Sequence, residues 1–347
     1  MSALDTLGEQ NFEQLSVRRL DGGFASIVAV HDTTLGPALG GVRIRKYATD
    51  DLAAADALRL ARAMTFKAAL AGLPLGGGKS VINADPRDDK TVEMLEAHGR
   101  HVAAFDGRYI PGADMGTGPA DLEVIGRHAP RVSSDGRDPS PYTARGVVVS
   151  METVANRLGS NGIGHKGLDG LRVAVQGIGN VGRGIVELLT ARGARVVVAD
   201  PDPERVASAV ADHGATATAL DTVLLSDVDV VCPAGPGLVV TEEVAGRLRA
   251  SAVVGAANNM FAGPGVGATL AARGVAYVPD FVSNAGGLIS CAAEINGEVD
   301  FVDRVDRIGV VVDEILHNAA VTRSDPESAA MALAHRRIDA ARQGVSG

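Results

Sequence analysis

The chain has no tryptophan, and phenylalanine and tyrosine together make up only 3% of its 347 residues. With 46% hydrophobic residues, its core must be built mostly from Ala, Val and Leu rather than from rings. There are only two cysteines, Cys232 and Cys291, which excludes a disulfide framework and fits a reducing, cytoplasmic setting. Positive charge is the scarcer sign, leaving a formal net charge of −9. A nucleic-acid or anionic-membrane partner would call for a basic patch, so both are disfavoured. No apolar run approaches the length of a membrane span. The opening Met1-Ser2-Ala3-Leu4-Asp5 is acidic and lacks the apolar core of a signal peptide. No His, Cys or Asp spacing resembles a metal-ligand set, so no metal is expected.

What the chain does have is glycine, 43 of them, gathered in motifs. Its length suggests two domains, each with its own core. Residues 24–30 read as a strand, and Gly36-Pro37 and Gly40-Gly41 as a tight, open loop. A helix is predicted from Thr49 or Asp50, with Leu52, Ala55, Leu58, Ala61, Met64 and Ala68 as its apolar stripe and Lys67 in its last turn. A second helix is expected over 91–105, then a strand Arg108-Tyr109-Ile110 ending at Pro111-Gly112-Ala113-Asp114. The polar, turn-rich stretch 130–141, with Ser133-Ser134-Asp135-Gly136, reads as the domain boundary. A helix is predicted over Thr143–Leu158. Beyond it, short valine-rich runs alternate with helical patterns to about 285, which predicts a doubly wound parallel sheet; helices follow from about 306.

Two glycine motifs stand out. In Leu73-Pro74-Leu75-Gly76-Gly77-Gly78-Lys79-Ser80, three bare glycines precede a lysine. Such a backbone can bend sharply and admit a substrate closely. A lysine held there away from water loses its proton nearer neutrality, which makes Lys79 a candidate acid–base group. The ending Gly-Lys-Ser mimics a phosphate-binding loop, but position 73 is leucine where that motif needs glycine. The second motif, Gly177-Ile178-Gly179-Asn180-Val181-Gly182, follows a predicted strand and opens a predicted helix. That is the setting of a dinucleotide fingerprint: Gly177 for the turn, Gly179 for approach of the pyrophosphate, Gly182 for helix packing. Asp200 closes the next strand, where a carboxylate accepts from a ribose 2′-hydroxyl and repels a 2′-phosphate. This favours NAD over NADP, with Arg205 nearby as the one basic residue.

The first half of the chain must supply the substrate site. Lys67 and Lys79 together suit an anionic substrate such as a carboxylate, each lowering the other's pKa by repulsion, and Asp114 can exchange protons with an amine or carbonyl. A lysine at a helix end also serves simply as partner to the helix dipole.

These motifs, taken in order, resemble the glutamate/leucine/phenylalanine/valine dehydrogenase family. The resemblance runs through Leu35-Gly36-Pro37-Ala38-Leu39-Gly40-Gly41, Met64-Thr65-Phe66-Lys67, Gly76–Lys79, Arg108-Tyr109-Ile110 with Asp114-Met115-Gly116-Thr117, Pro139–Val147, the 177–182 fingerprint, Gly255-Ala256-Ala257-Asn258-Asn259, and Pro279-Asp280-Phe281 with Asn284-Ala285-Gly286-Gly287. It implies an α/β fold of two domains: a substrate domain over 1–138, with C-terminal helices of about 320–347 folding back on it, and a Rossmann-like NAD domain over 139–319. It also implies closure of those domains over a cleft and a homo-oligomer.

By the same resemblance, Lys67 binds the substrate α-carboxylate, Lys79 is the general base that activates water, and Asp114 shuttles the amino-group proton. The Gly40-Gly41 backbone touches substrate, and Thr143 and Asn258 hold the nicotinamide end. The implied reaction is NAD-dependent oxidative deamination of an L-amino acid to its 2-oxo acid and ammonia. Leu39, Gly112, Ala113, Leu288 and Cys291 would face the substrate side chain, with Cys291 a packing group rather than a reactive thiol. Nothing there pairs a second carboxylate, so glutamate is disfavoured. Gly112 resembles the phenylalanine enzymes and enlarges the pocket, Leu288 argues the other way by filling space, and phenylalanine stands slightly ahead of leucine or valine. One departure is Cys232-Pro233-Ala234-Gly235-Pro236-Gly237, a residue short and reordered against the family's Pro-Cys-Ala-x-Gly-Gly. It is the only support for an alternative, a catalytically silent NAD-binding sensor or partner subunit. A Rossmann enzyme for hydroxy-acid or folate substrates leaves Gly76–Lys79 with Asp114 unexplained.

Overall fold

The structure, a computed structural model, describes residues 11–133, 136–159 and 167–344. Ser134 and Asp135 of the expected boundary, and the opening Met1–Asp5, lie outside the described residues. The chain divides into two units. The first takes the described residues up to Arg137, Cys291–Val299, and those from Ala334 onward; the second takes Asp138–Ser290 and Asp300–Leu333.

The first unit is built on a mixed five-stranded sheet. Its strands are β1 (Gln14–Arg19), β2 (Ala25–Asp32), β3 (Ala38–Arg45), β4 (Gly76–Asn83) and β5 (Tyr109–Ala113), in spatial order β1-β2-β4-β3-β5. β4 runs antiparallel to β2 and parallel to β3, which in turn runs parallel to β5. Alternate residues of a strand face opposite sides. Ile27, Ala29 and Val81 therefore meet the helix Asp50–Leu70 through its Ala53, Ala57, Leu58 and Ala61. Val28, Val30, Val42, Ile44 and Ile82 pack on the other side with Met94, Leu95 and Val102 of the helix Val92–Ala103. The helix Asp50–Leu70 starts where Thr49 accepts from the Leu52 N–H, with two aspartates in its first turn and Lys67 in its last, each suited to the dipole. Arg337, in the C-terminal helix, donates to the carbonyls of Ala69 and Leu70 at its end.

Two sequence expectations fail here. Gly40 and Gly41 do not form an open loop but lie inside β3, and the triple glycine is not a bend but the start of the buried strand β4. The reason is crowding by neighbours. A Cβ on Gly76 would lie 2.1 Å from the Asp32 carbonyl oxygen, and one on Gly77 would lie 2.1 Å from the Thr65 nitrogen. One on Gly78 would lie 2.6 Å from the ring of Tyr109.

The second unit holds a six-stranded, all-parallel sheet of β6 (Arg172–Gln176), β7 (Arg195–Ala199), β8 (Thr216–Ala217), β9 (Val230–Pro233), β10 (Ala252–Val253) and β11 (Ala276–Tyr277). Its order, β11-β10-β9-β6-β7-β8, reverses direction between β6 and β9. That is the Rossmann arrangement, in which ligands bind beyond the carboxyl ends of the strands at the reversal. The helix over Ser140–Leu158 begins three residues before the expected Thr143. It packs on the helices Asn180–Thr190 and Val302–Thr322.

Candidate functional site

Lys79 is the fourth residue of β4, on the face that carries Val81, and its side chain is only 7% exposed. Its Nζ lies 2.6 Å from Oδ2 of Asp114, just beyond the end of β5. Burial pushes the Lys79 pKa down and outweighs the stabilising pull of the aspartate. Burial pushes Asp114 up, but the cations of Lys79 and Arg43 overcome it and hold its carboxyl below the ordinary value. The pair thus sits with an easily released proton on the amine and a firmly ionised carboxylate.

Arg43 was not foreseen. Its Nε donates to the same Oδ2 of Asp114 at 2.9 Å, and its Nη1 to Oδ2 of Asp56 at 2.9 Å. Asp56 also accepts from the Tyr47 hydroxyl at 2.6 Å and from Arg59 at 2.6 Å. Lys79, Asp114, Arg43 and Asp56 therefore form a run of alternating charges, and the positive charge of Arg43 further lowers the pKa of Lys79. The expected mutual effect of two lysines is not the main cause of the Lys79 shift; burial is, with Arg43 adding to it. The available signal was periodicity: Leu39, Gly41 and Arg43 share one face once 38–45 is read as a strand.

The remaining substrate-side candidates fall on several elements. Lys67 is half-buried in the last turn of its helix. Leu39 is buried; Gly40 and Gly41 pair with Pro111 and Gly112 across β3 and β5. Ala113 is exposed at the end of β5. A Cβ on Gly112 would meet only the Cβ of Ser133, at an ordinary 3.7 Å. Leu288 is buried and Cys291 half-buried, one helical turn apart on Gly286–Ile295.

In the second unit, the fingerprint forms the turn from β6 into the helix Asn180–Thr190, with Gly179 as its N-cap. Gly177 adopts φ +96°, a conformation that side chains disfavour. A Cβ on Gly182 would lie 1.9 Å from the Gly177 carbonyl oxygen. Asn180 is exposed and Val181 half-buried at the helix start, where free N–H groups suit an anion. Asp200 accepts from the Ile178 N–H at 2.6 Å and the Asp202 N–H at 2.8 Å, with Arg205 4.0 Å away. The amide oxygen of Gln176, at the end of β6, is buried and has no hydrogen-bond partner among the described residues. A bound hydroxyl would satisfy it. These features fit a dinucleotide.

The 232–237 loop packs directly on this turn. A Cβ on Gly177 would lie 2.6 Å from the Gly235 backbone, and the Ala234 N–H donates to the Gln176 carbonyl. Asn258 is exposed and accepts on Oδ1 from Asn284 at 2.9 Å. Thr143 donates to the Pro139 carbonyl, with Gly287 packed against its hydroxyl. Cys232 is buried, and burial pushes its thiol up to about 12, so it is an inert packing group. Among the described residues no cluster of His, Cys, Asp or Glu could hold a metal ion. None of their helices is long and apolar enough to cross a membrane.

Residues 10–131 match the model of the Glu/Leu/Phe/Val dehydrogenase dimerisation domain, and residues 202–343 that of the Glutamate/Leucine/Phenylalanine/Valine dehydrogenase family. Residues 143–249 match the NAD binding domain of D-isomer specific 2-hydroxyacid dehydrogenases. A leucine dehydrogenase of Bacillus subtilis is 42% identical over 79% of this chain and 76% of its own length. A valine dehydrogenase of Streptomyces albus is 39% identical over 92% of this chain and 90% of its own. The crystal structure of L-tryptophan dehydrogenase from Nostoc punctiforme superposes with a TM-score of 0.89 at 35% identity, covering 98% of this chain and 99% of that one.

Proposed function

The chain belongs to the glutamate/leucine/phenylalanine/valine dehydrogenase family, an amino acid dehydrogenase family, and on that premise we propose that it deaminates a large apolar L-amino acid with NAD⁺ as oxidant. The observation that carries the reading is the buried Lys79–Asp114 pair, an amine with its pKa lowered beside an ionised carboxylate.

The overall change is L-amino acid, NAD⁺ and water to 2-oxo acid, ammonia, NADH and a proton. When bound, the nicotinamide accepts the hydride from Cα. Lys67 pairs with the α-carboxylate, and the Gly40-Gly41 backbone lies alongside it. Asp114 takes a proton from the amino group as the C–N bond gains double-bond character. Neutral Lys79 takes a proton from the water that attacks the resulting iminium carbon, Asp114 returns its proton to the amine nitrogen, and the C–N bond breaks with ammonia leaving as the carbonyl forms. Gly177, Gly179, Asn180, Val181 and Gly182 hold the pyrophosphate, Asp200 the adenosine ribose, and Thr143 and Asn258 the nicotinamide end. NAD rather than NADP follows from Asp200, whose charge opposes a 2′-phosphate.

For the substrate side chain, the open space at Gly112 supports phenylalanine. Buried Leu288 and the leucine and valine dehydrogenase relatives support a branched aliphatic side chain instead. The match to a dimerisation domain supports a homo-oligomer. The paucity of cysteine supports a cytoplasmic setting. Initial-rate NAD⁺ reduction with L-Phe, L-Leu, L-Val, L-Ile, L-Trp and L-Glu tests the proposal. A rate with one apolar group upholds it and separates the two side-chain readings. No rate with any, while NADH binds, replaces it with a silent nucleotide-binding protein.

A further inference from the structure

Behind β3, on the face of the sheet opposite Lys79, lies a line of buried polar side chains that this chemistry does not use. Ser80 neighbours Lys79 on β4 and so projects the other way. Tyr109 places its hydroxyl 2.8 Å from the Gly40 carbonyl oxygen and 3.1 Å from Ser80 Oγ. Ser80 Oγ lies 3.1 Å from Nε2 of His98, whose Nδ1 is 2.7 Å from Ser26 Oγ. Ser26 Oγ is 2.8 Å from Nδ1 of His101, whose Nε2 is 2.8 Å from Ser16 Oγ on the edge strand β1. Ser26, Ser80, His98, His101 and Tyr109 are all buried, and only Ser16 is partly exposed.

The Tyr109 O–H donates to the Gly40 carbonyl and is directed at Ser80 Oγ as well. Ser26 relates the two rings to each other. Its hydroxyl has one proton and lies between Nδ1 of His98 and Nδ1 of His101, so it donates to one ring and accepts from the other. With both rings neutral, they are in opposite tautomers. Burial keeps them neutral: it pushes His98 down to about 3, with His101 adding to the effect. Burial, with Arg18, pushes His101 down to about 4.

We infer that this hydrogen-bond line between Ser16 and Tyr109 is a positioning device that holds the Gly40 peptide in the orientation the substrate carboxylate requires. The inference rests on the reading above, in which the Gly40-Gly41 backbone touches substrate. Tyr109 and the groups behind it are positioning residues; none of them meets the reacting atoms.

Two measurements test it. In solid-state ¹⁵N spectra of histidine-labelled protein, assigned with His98→Gln and His101→Gln, one of the two rings carries its proton on Nδ1 and the other on Nε2. The same tautomer in both rings, or a protonated ring at pH 7, overturns the line whatever the kinetics. In steady-state kinetics, Tyr109→Phe keeps the ring and removes the hydroxyl that bonds Gly40 and Ser80. It should raise the amino-acid KM about two- to tenfold, with kcat and NADH affinity unchanged. Ser26→Ala, which breaks the line far from the substrate, should shift KM in the same direction.

Lys67→Ala separates the two levels of the argument. If it raises KM while Tyr109→Phe does not, the inference falls and the reading stands. If neither moves KM, or the unaltered enzyme turns over no amino acid, the reading falls with it. A lowered melting temperature with unchanged KM makes the line a packing device and overturns the inference.

Discussion

Gly41 and Asp114 approach so closely that a Cβ on the glycine would lie 2.6 Å from the Cβ of the aspartate and 3.0 Å from Lys79 Nζ. The reactive pair is thus seated on a bare strand. Gly41→Ala should push Asp114 aside and lower kcat/KM by about 10²-fold, as misplacement of a reacting group by about 1 Å does. NADH affinity should be unchanged. Steady-state kinetics with fluorescence titration of NADH reads both, and full activity would show that the pair tolerates displacement.

Lys79→Ala removes the base. Turnover of every amino acid should be abolished while NADH still binds. Near-normal turnover would take Lys79 out of the mechanism.

Arg43→Met tests how the pair is tuned. The positive charge of Arg43 lowers the Lys79 pKa, so its loss raises that pKa. The base form of Lys79 appears as pH rises through its pKa. The ascending limb of kcat/KM against pH should therefore move to higher pH in the variant. A limb that stays in place would show that Arg43 does not tune Lys79.

Asp200→Ala should weaken the preference for NAD over NADP, because the repelling charge is lost while Arg205 remains. The ratio of kcat/KM values for the two cofactors measures this. An unchanged ratio would place ribose recognition elsewhere.

Gly112→Ala adds one methyl group where only Ser133 lies near, so the variant should fold. If position 112 lines the side-chain pocket, kcat/KM for phenylalanine should fall relative to leucine and valine by about tenfold or more. An equal change for all three would remove the residue from specificity.

Local signals carried much of this architecture. The helix Asp50–Leu70 was legible from Thr49 and its aspartates, although Leu52 of the expected stripe is exposed and the buried face runs through Ala53, Ala57, Leu58 and Ala61; the parallel sheet was legible from its spaced valine runs. The glycine fingerprint was legible because turn, helix start and Asp200 follow one another along the chain. Where glycine's purpose was non-local, the same reasoning failed. Gly76, Gly77 and Gly78 look like a loop by propensity, yet form a strand because the Asp32 backbone, Thr65 and Tyr109 fill the space beside them. Arg43 and Asp56 were missed for a related reason. Their link to Asp114 joins β3, a helix and the end of β5, and no short spacing encodes it.

The backbone contact between Gly177 and Gly235 couples the two turns at the sheet's reversal point. A side chain at Gly177 would have to displace the 235 turn, whereas one at Gly235 would meet Gly177 at an ordinary 3.5 Å. A change of nucleotide specificity therefore has to be engineered as a paired exchange of both segments. Transplanting the 177–182 stretch alone from an enzyme with a longer partner turn should yield a misfitted graft, and restoring the cognate 232–237 segment should repair it.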